Sequence, residues 1–190
     1  TRDSLLHQIV KKRFEMIKTA RDRNQSANAG IQVANRPLFV NGEYGDQVKI
    51  QNIRYHFECI MKTLGLNLSN EGLRDTPERV ARMYVNEIFS GLDPEAFPAI
   101  SLFENKYQYT EMLLEKDIQV YSCCEHHFIP FVGKAHVAYF PGKKVIGLSK
   151  LNRIVKYFSR RPQVQERLTM DIANCLKQTL QTEDVAVVID

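Results

Sequence analysis

The 190-residue sequence is 44% hydrophobic and 25% charged, with 26 Lys and Arg against 22 Asp and Glu. That is enough apolar material for one main domain with an appendage, and it excludes a chain disordered throughout. The net charge of +4 suits a protein that meets small anions through a local basic patch and gives little support to nucleic acid as a partner. No run approaches the roughly 18 apolar residues of a membrane span, and the N-terminus has neither the apolar centre nor the cleavage site of a signal peptide. A cytoplasmic protein without membrane attachment is therefore expected. Cys59, Cys123, Cys124 and Cys175 match no disulfide framework, and two of them are neighbours that pair poorly, so reduced thiols are expected.

In chain order, Leu6, Ile9, Val10 and Ile17 recur among charges over residues 3–22, predicting an amphipathic helix with a basic outer face. Residues 23–37 shift to Asn, Gln, Ser, Ala and Gly without a period. The first 36 residues thus read as a helical arm and linker, and 37–190 as the main domain. Ile50, Ile53, Phe57, Ile60, Met61 and Leu64 keep helical spacing, which places His56 and Cys59 on or beside a packed face as structural residues, and Gly65 suits the end of that helix. Thr76-Pro77 predicts the next helix start, with the threonine as cap and Val80, Met83, Tyr84 and Ile88 buried. Strands are expected over 117–122, 132–140 and 185–190, which are short and rich in β-favouring residues. Ser149 is expected to cap one helix and Pro162 to open another, with Leu151, Ile154, Val155, Leu168, Ile172 and Leu176 inward. The whole predicts an α+β domain, a pair of helices on one face of an antiparallel sheet.

Cys123-Cys124-Glu125-His126-His127 falls between the first two of those strands. Cys124 and His127 have the offset at which a turn can aim a sulfur and a ring nitrogen at one ion, and Zn²⁺ accepts both donors. His126 would then be left to move protons near neutral pH. A polar turn around a buried thiol is the competing reading, weakened because adjacent histidines are poor core filling. A zinc-activated water beside an acid/base imidazole implies hydrolysis at an electrophilic carbon. Ser149, Lys150 and Arg153 gather at a predicted helix N-terminus, where N–H groups and cations favour a phosphate; an ordinary cap with solvated charges accounts for the same residues. Glu166, in the first turn of the following helix, suits the dipole whatever its role, and it could also accept two hydrogen bonds from a guanine edge with Gln165 beside it. His136 reads as an ordinary strand residue outside the site.

Four motifs in order, Asp75-Thr76-Pro77-Glu78-Arg79, Cys124-Glu125-His126-His127-Phe128, Gly147-Leu148-Ser149-Lys150 and Arg161-Pro162-Gln163-Val164-Gln165-Glu166-Arg167, resemble the bacterial GTP cyclohydrolase I family from about Leu73 to Asp190. The resemblance implies a T-fold subunit in a toroidal homodecamer with active sites at subunit interfaces. It implies Cys124 and His127 as zinc ligands, His126 as acid/base, Glu166 and Gln165 on guanine, and Ser149, Lys150 and Arg153 on ribose and triphosphate. Arg79 is implied as a further phosphate contact. The implied reaction is zinc-dependent hydrolysis of GTP at C8 with formate release, giving 7,8-dihydroneopterin triphosphate on the way to folate-type pterins.

The family's third zinc ligand is a cysteine in a His-X-Cys motif just beyond a strand like Val185–Asp190, and that motif lies outside these 190 residues. The expectation is a C-terminal segment that carries it. A purine- or pterin-binding T-fold protein without turnover is the alternative, and a structural zinc module ranks third because no second ligand pair is present.

Overall fold

The computed structural model describes residues 44–190, so the predicted helix at 3–22 and the linker at 23–37 lie outside the described residues. At the centre is a long antiparallel pair, β2 (Leu113–Cys124) and β3 (Pro130–Tyr139), with Tyr121 opposite Val132 and Cys123 opposite Pro130. Alternation is visible in β2, where Ile118 and Val120 are buried and Gln119 and Tyr121 exposed. A bulge interrupts the register between Glu115 and Ile118, and Asp117 there takes a left-handed φ of 60°. Such an extra residue sharpens the local twist. A third long strand, β6 (Val185–Ile189), pairs antiparallel with β3, Ile189 opposite Ala135. Two short strands, β1 (Leu102–Glu104) and β4 (Lys144–Ile146), form a separate antiparallel pair.

Two helices cover one face of the sheet, α4 (Leu148–Ser159) and α5 (Gln165–Leu180). Their inward residues Leu151, Ile154, Val155, Leu168, Ile172 and Leu176 form one core with Ile118, Val120, Val137 and Tyr139. The Tyr139 hydroxyl, buried in that core, accepts from the Ile146 amide at 3.2 Å, which satisfies its polar end. This is the predicted α+β arrangement with one amendment. Pro162 does not open a helix: Pro162–Gln163 form β5, which pairs parallel with β2, and α5 starts at Gln165. The sheet, ordered β5-β2-β3-β6, is therefore mixed at one end.

Ahead of the sheet come α1 (Asp46–Thr63), a single turn α2 (Glu71–Arg74) and α3 (Thr76–Met83), which continues as a π-turn over Tyr84–Ile88. Gly65 follows α1 with φ +79°, the left-handed conformation its lack of Cβ allows. Of the predicted inner face of α1 only Ile50 and Met61 are buried; Ile60 and Leu64 are exposed, as are His56 and Cys59, so in this single chain that face is largely uncovered. Thr76 does not cap α3. Asp75 precedes the helix, and the Thr76 hydroxyl accepts from Arg79 at 2.8 Å. Ser149 is likewise inside α4, whose capping position is Gly147.

After the π-turn, Gly91 presses against the end of α4: its amide donates to the Arg160 carbonyl at 2.9 Å, and a Cβ there would collide with the carbonyl oxygens of Tyr157 and Arg160. Arg161 donates from Nε to the Gly91 carbonyl at 2.7 Å while its guanidinium lies over the rings of Tyr157 and Phe158. Among the described residues no helix is long and apolar enough to cross a membrane.

Candidate active site

The chain leaves β2 at Cys124 and re-enters the sheet at Pro130 through one helical turn. The Phe128 amide donates to the Cys124 carbonyl at 2.9 Å, and the Cys124 amide donates to the Ile129 carbonyl at 2.9 Å. Phe128 closes the turn with φ 54° and packs against Phe89, ring centroids 5.3 Å apart. The main chain thus fixes Cys124, Glu125, His126 and His127 before any ligand arrives. Cys123 points into the core, and burial, with the neighbouring Cys124 adding to it, pushes its thiol above the ordinary range. Cys124 is half-buried and both histidines are exposed.

Sγ of Cys124 lies 3.6 Å from Nδ1 of His126, and the rings of His126 and His127 are 6.4 Å apart. Two donors on a tetrahedral zinc ion, at about 2.3 Å for sulfur and about 2.0 Å for nitrogen, are themselves about 3.5 Å apart. Thiolate and imidazole fit zinc in chemistry, but the sulfur–imidazole pair at that separation is Cys124 with His126, not Cys124 with His127. Among the described residues no group of three His, Cys, Asp or Glu side chains converges as a metal site.

The parallel pairing of β5 with β2 brings the Arg161–Arg167 motif to the Cys124–Phe128 motif. Pro162 is opposite Cys123 and Gln163 opposite Cys124, and the Glu125 amide donates to the Gln163 carbonyl at 3.0 Å. Gln165 and Glu166, two and three residues further on, start α5 beside the turn. Gln163 is buried and donates to the Phe158 carbonyl at 3.2 Å and to Asp171 at 3.1 Å, anchoring the short strand. The Gln165 side chain donates from Nε2 to the Ile189 carbonyl at 2.7 Å, tying the start of α5 to the end of β6. Both Gln165 and Glu166 are exposed in the single chain.

A half-buried ion pair locks turn and helix together: Arg167 donates to Glu125 at 2.6 Å. The hydrogen bond from Arg167 holds the Glu125 carboxyl below its usual value, and the same bond raises the guanidinium. Both residues lie inside the motifs, and neither carries a role by residue type alone. Their opposite charges, one in each motif, were the available signal. The remaining predicted residues stand elsewhere. Ser149, Lys150 and Arg153 lie on the first turns of α4, Ser149 and Arg153 exposed; Arg79, on α3, is folded back onto Thr76 and the Gly72 carbonyl. No hydrogen bond or ion pair among the described residues joins these four to the turn.

Residues 53–190 match the family model described as GTP cyclohydrolase I. The chain belongs to the GTP cyclohydrolase I family. It is 56% identical over 145 residues to GTP cyclohydrolase 1 of Flavobacterium johnsoniae, an alignment covering 76% of this chain and 65% of that relative. Identity to GTP cyclohydrolase 1 of Aeromonas salmonicida is 54% over 153 residues, covering 80% of this chain and 70% of the relative. The namesake from Vibrio parahaemolyticus is 49% identical over 161 residues, covering 85% and 72%. Membership in the GTP cyclohydrolase I family agrees with the motif resemblance and with helices packed on a sheet.

Proposed function

We propose that the protein is a GTP cyclohydrolase I, opening the guanine imidazole ring of GTP by hydrolysis at C8, releasing formate and yielding 7,8-dihydroneopterin triphosphate. One observation carries this reading: the β5–β2 register sets the start of α5, with Gln165 and Glu166, against the Cys124–Phe128 turn. That register supports assigning a guanine-reading group and a proton-moving group to neighbouring segments. Glu166 accepts from the guanine N–H edge, which adenine lacks, and Gln165 borders it. His126 gives a proton to the ring nitrogen as the ring opens and takes one back afterwards. Ser149, Lys150, Arg153 and Arg79 are assigned to ribose and triphosphate, through the cation and N–H chemistry that favours phosphate.

Cys124 and His127 are the residues assigned to hold zinc. When bound, zinc supplies a water acidified toward neutral pH and thus a nucleophile for C8. β6 lies antiparallel to β3, and Asp190 exchanges main-chain hydrogen bonds with Lys134 at 2.8 and 3.0 Å.

Assembly of several copies, a homodecamer by the family resemblance, is the accompanying proposal. On the sheet face away from the helices, the cross-strand partners Tyr121 and Val132 are 66% and 71% exposed, and most of the outer edge of β2 is unpaired among the described residues. Apolar faces and free edges of that kind are covered when identical copies associate. Incubating the full-length protein with zinc and GTP, then oxidising and reading pterin fluorescence, tests the activity. Absence of pterin overturns it. Tight purine binding without metal uptake would favour the non-catalytic alternative, and light scattering measures the assembly.

A further inference from the structure

The ribbon formed by β1 and β4 continues into two straps, residues 104–110 after β1 and 141–144 before β4, and both line a pocket of about 650 Å³. Asn105 holds the straps together. Its amide donates to the Lys143 carbonyl at 2.9 Å, and its Nδ2 donates to the carbonyls of Tyr109 at 2.9 Å and Gly142 at 3.0 Å. Its Oδ1 accepts from the Tyr109 amide at 2.9 Å. Within this tie Gln108 is held at φ 51°, a left-handed conformation uncommon for a residue with a Cβ, which persists where the surroundings over-determine it. Lys106, Lys143 and Lys144 line the pocket with Glu104 as the one carboxylate, a local excess of two positive charges. No ion pair among the described residues engages these four side chains. Tyr109 stands on one strap and Pro141 on the other, so a flat ring finds an apolar neighbour on each. The volume suits a small organic molecule.

We propose that this pocket binds a small aromatic anion, its ring against Tyr109 and Pro141 and its carboxylate or phosphate group on Lys106, Lys143 and Lys144. Lysine ammonium groups are point charges that accept either oxyanion, and the ring supplies apolar contact that an inorganic ion lacks. None of the lining residues is among those assigned to zinc, guanine, ribose or triphosphate, so the site does not depend on the reaction proposed above.

The test is calorimetric titration of the full-length protein with benzoate and phenyl phosphate, and the tighter of the two identifies the acidic group. Benzamide, which keeps the ring without the charge, should bind about tenfold more weakly, and the matching cyclohexyl acid, which keeps the charge without the flat ring, about threefold more weakly. Lys143→Gln and Lys144→Gln should each weaken the aromatic anion about fivefold, and Lys144→Arg should restore most of the loss. Glu104→Gln removes a negative charge beside the anion and should tighten binding about threefold, a gain that a damaged fold would not give. Arg153→Gln, on the helix assigned to phosphate, should bind the probe as the wild type does. The proposal is overturned if neither aromatic anion binds, if benzamide or the cyclohexyl acid binds as well as the aromatic anion, or if the lysine and Glu104 variants leave affinity unmoved. A loss in Arg153→Gln equal to that in the lysine variants overturns it too, because the probe would then sit at the nucleotide site.

Discussion

The turn at Cys124–Phe128 and the outer face of α4 carry the two halves of the proposed chemistry, yet the molecule secures them in opposite ways. The turn is held by main-chain hydrogen bonds at both ends, by the Phe89–Phe128 contact and by the Glu125–Arg167 ion pair. The α4 face presents Ser149, Arg153, Lys156 and Arg160 with little beyond one long hydrogen bond to Ser90. Groups that must meet a reacting atom within a fraction of an ångström are built into the backbone, because misplacement there is costly in rate. Groups that hold a charged tail act over longer distances and tolerate freedom. Ring chemistry should therefore be sensitive to substitution in kcat, and phosphate binding in KM.

The largest effect should come from Cys124→Ala, with pterin formation falling to background and zinc content, by elemental analysis, falling with it. His126→Ala comes next, with kcat lower by about a hundredfold to ten-thousandfold, the range for a lost acid/base group, and zinc retained. The 3.6 Å approach of His126 to the thiol makes the comparison with His127→Ala decisive. If His126→Ala loses zinc and His127→Ala keeps it, the assignment of the two histidines reverses. Arg153→Ala should raise KM for GTP by about tenfold with kcat within a factor of about two, and an equal fall in kcat would erase the contrast between the regions. Arg167→Ala leaves a half-buried carboxylate alone and should lower stability by about 1–2 kcal/mol by denaturant titration, with Glu166 still recognising guanine.

The smallest effect concerns thiol chemistry. Burial pushes the Cys175 thiol up, so it stays protonated at neutral pH, and its alkylation should keep accelerating as pH rises above the ordinary thiol range. Exposed Cys59 should be labelled first in a mass-spectrometric time course.

The long strands and the two covering helices were legible because each repeats its apolar residues often enough to show a period. β5 has two residues, and β1 and β4 three each, too few for any period, so they became visible only as pairings. The capping errors share a cause: Thr76 and Ser149 are good caps in isolation, but Arg79 engages the first and Gly147 precedes the second with extended backbone. The individual site motifs could be read from residue types. Their adjacency could not, since it depends on a parallel register between segments about 40 residues apart. The inner face of α1 was misjudged because helical spacing reports that a face is apolar without reporting what covers it.

Gly91 limits how this surface can vary. Its Cα hydrogens face two carbonyl oxygens from the end of α4 that a Cβ would overlap, and its own amide and carbonyl are both committed. In a saturation library, position 91 should return glycine alone, while Asn86 and Ser90 beside it accept many replacements. Evolution could retune this surface through those neighbours without being able to change the glycine between them and the helix end.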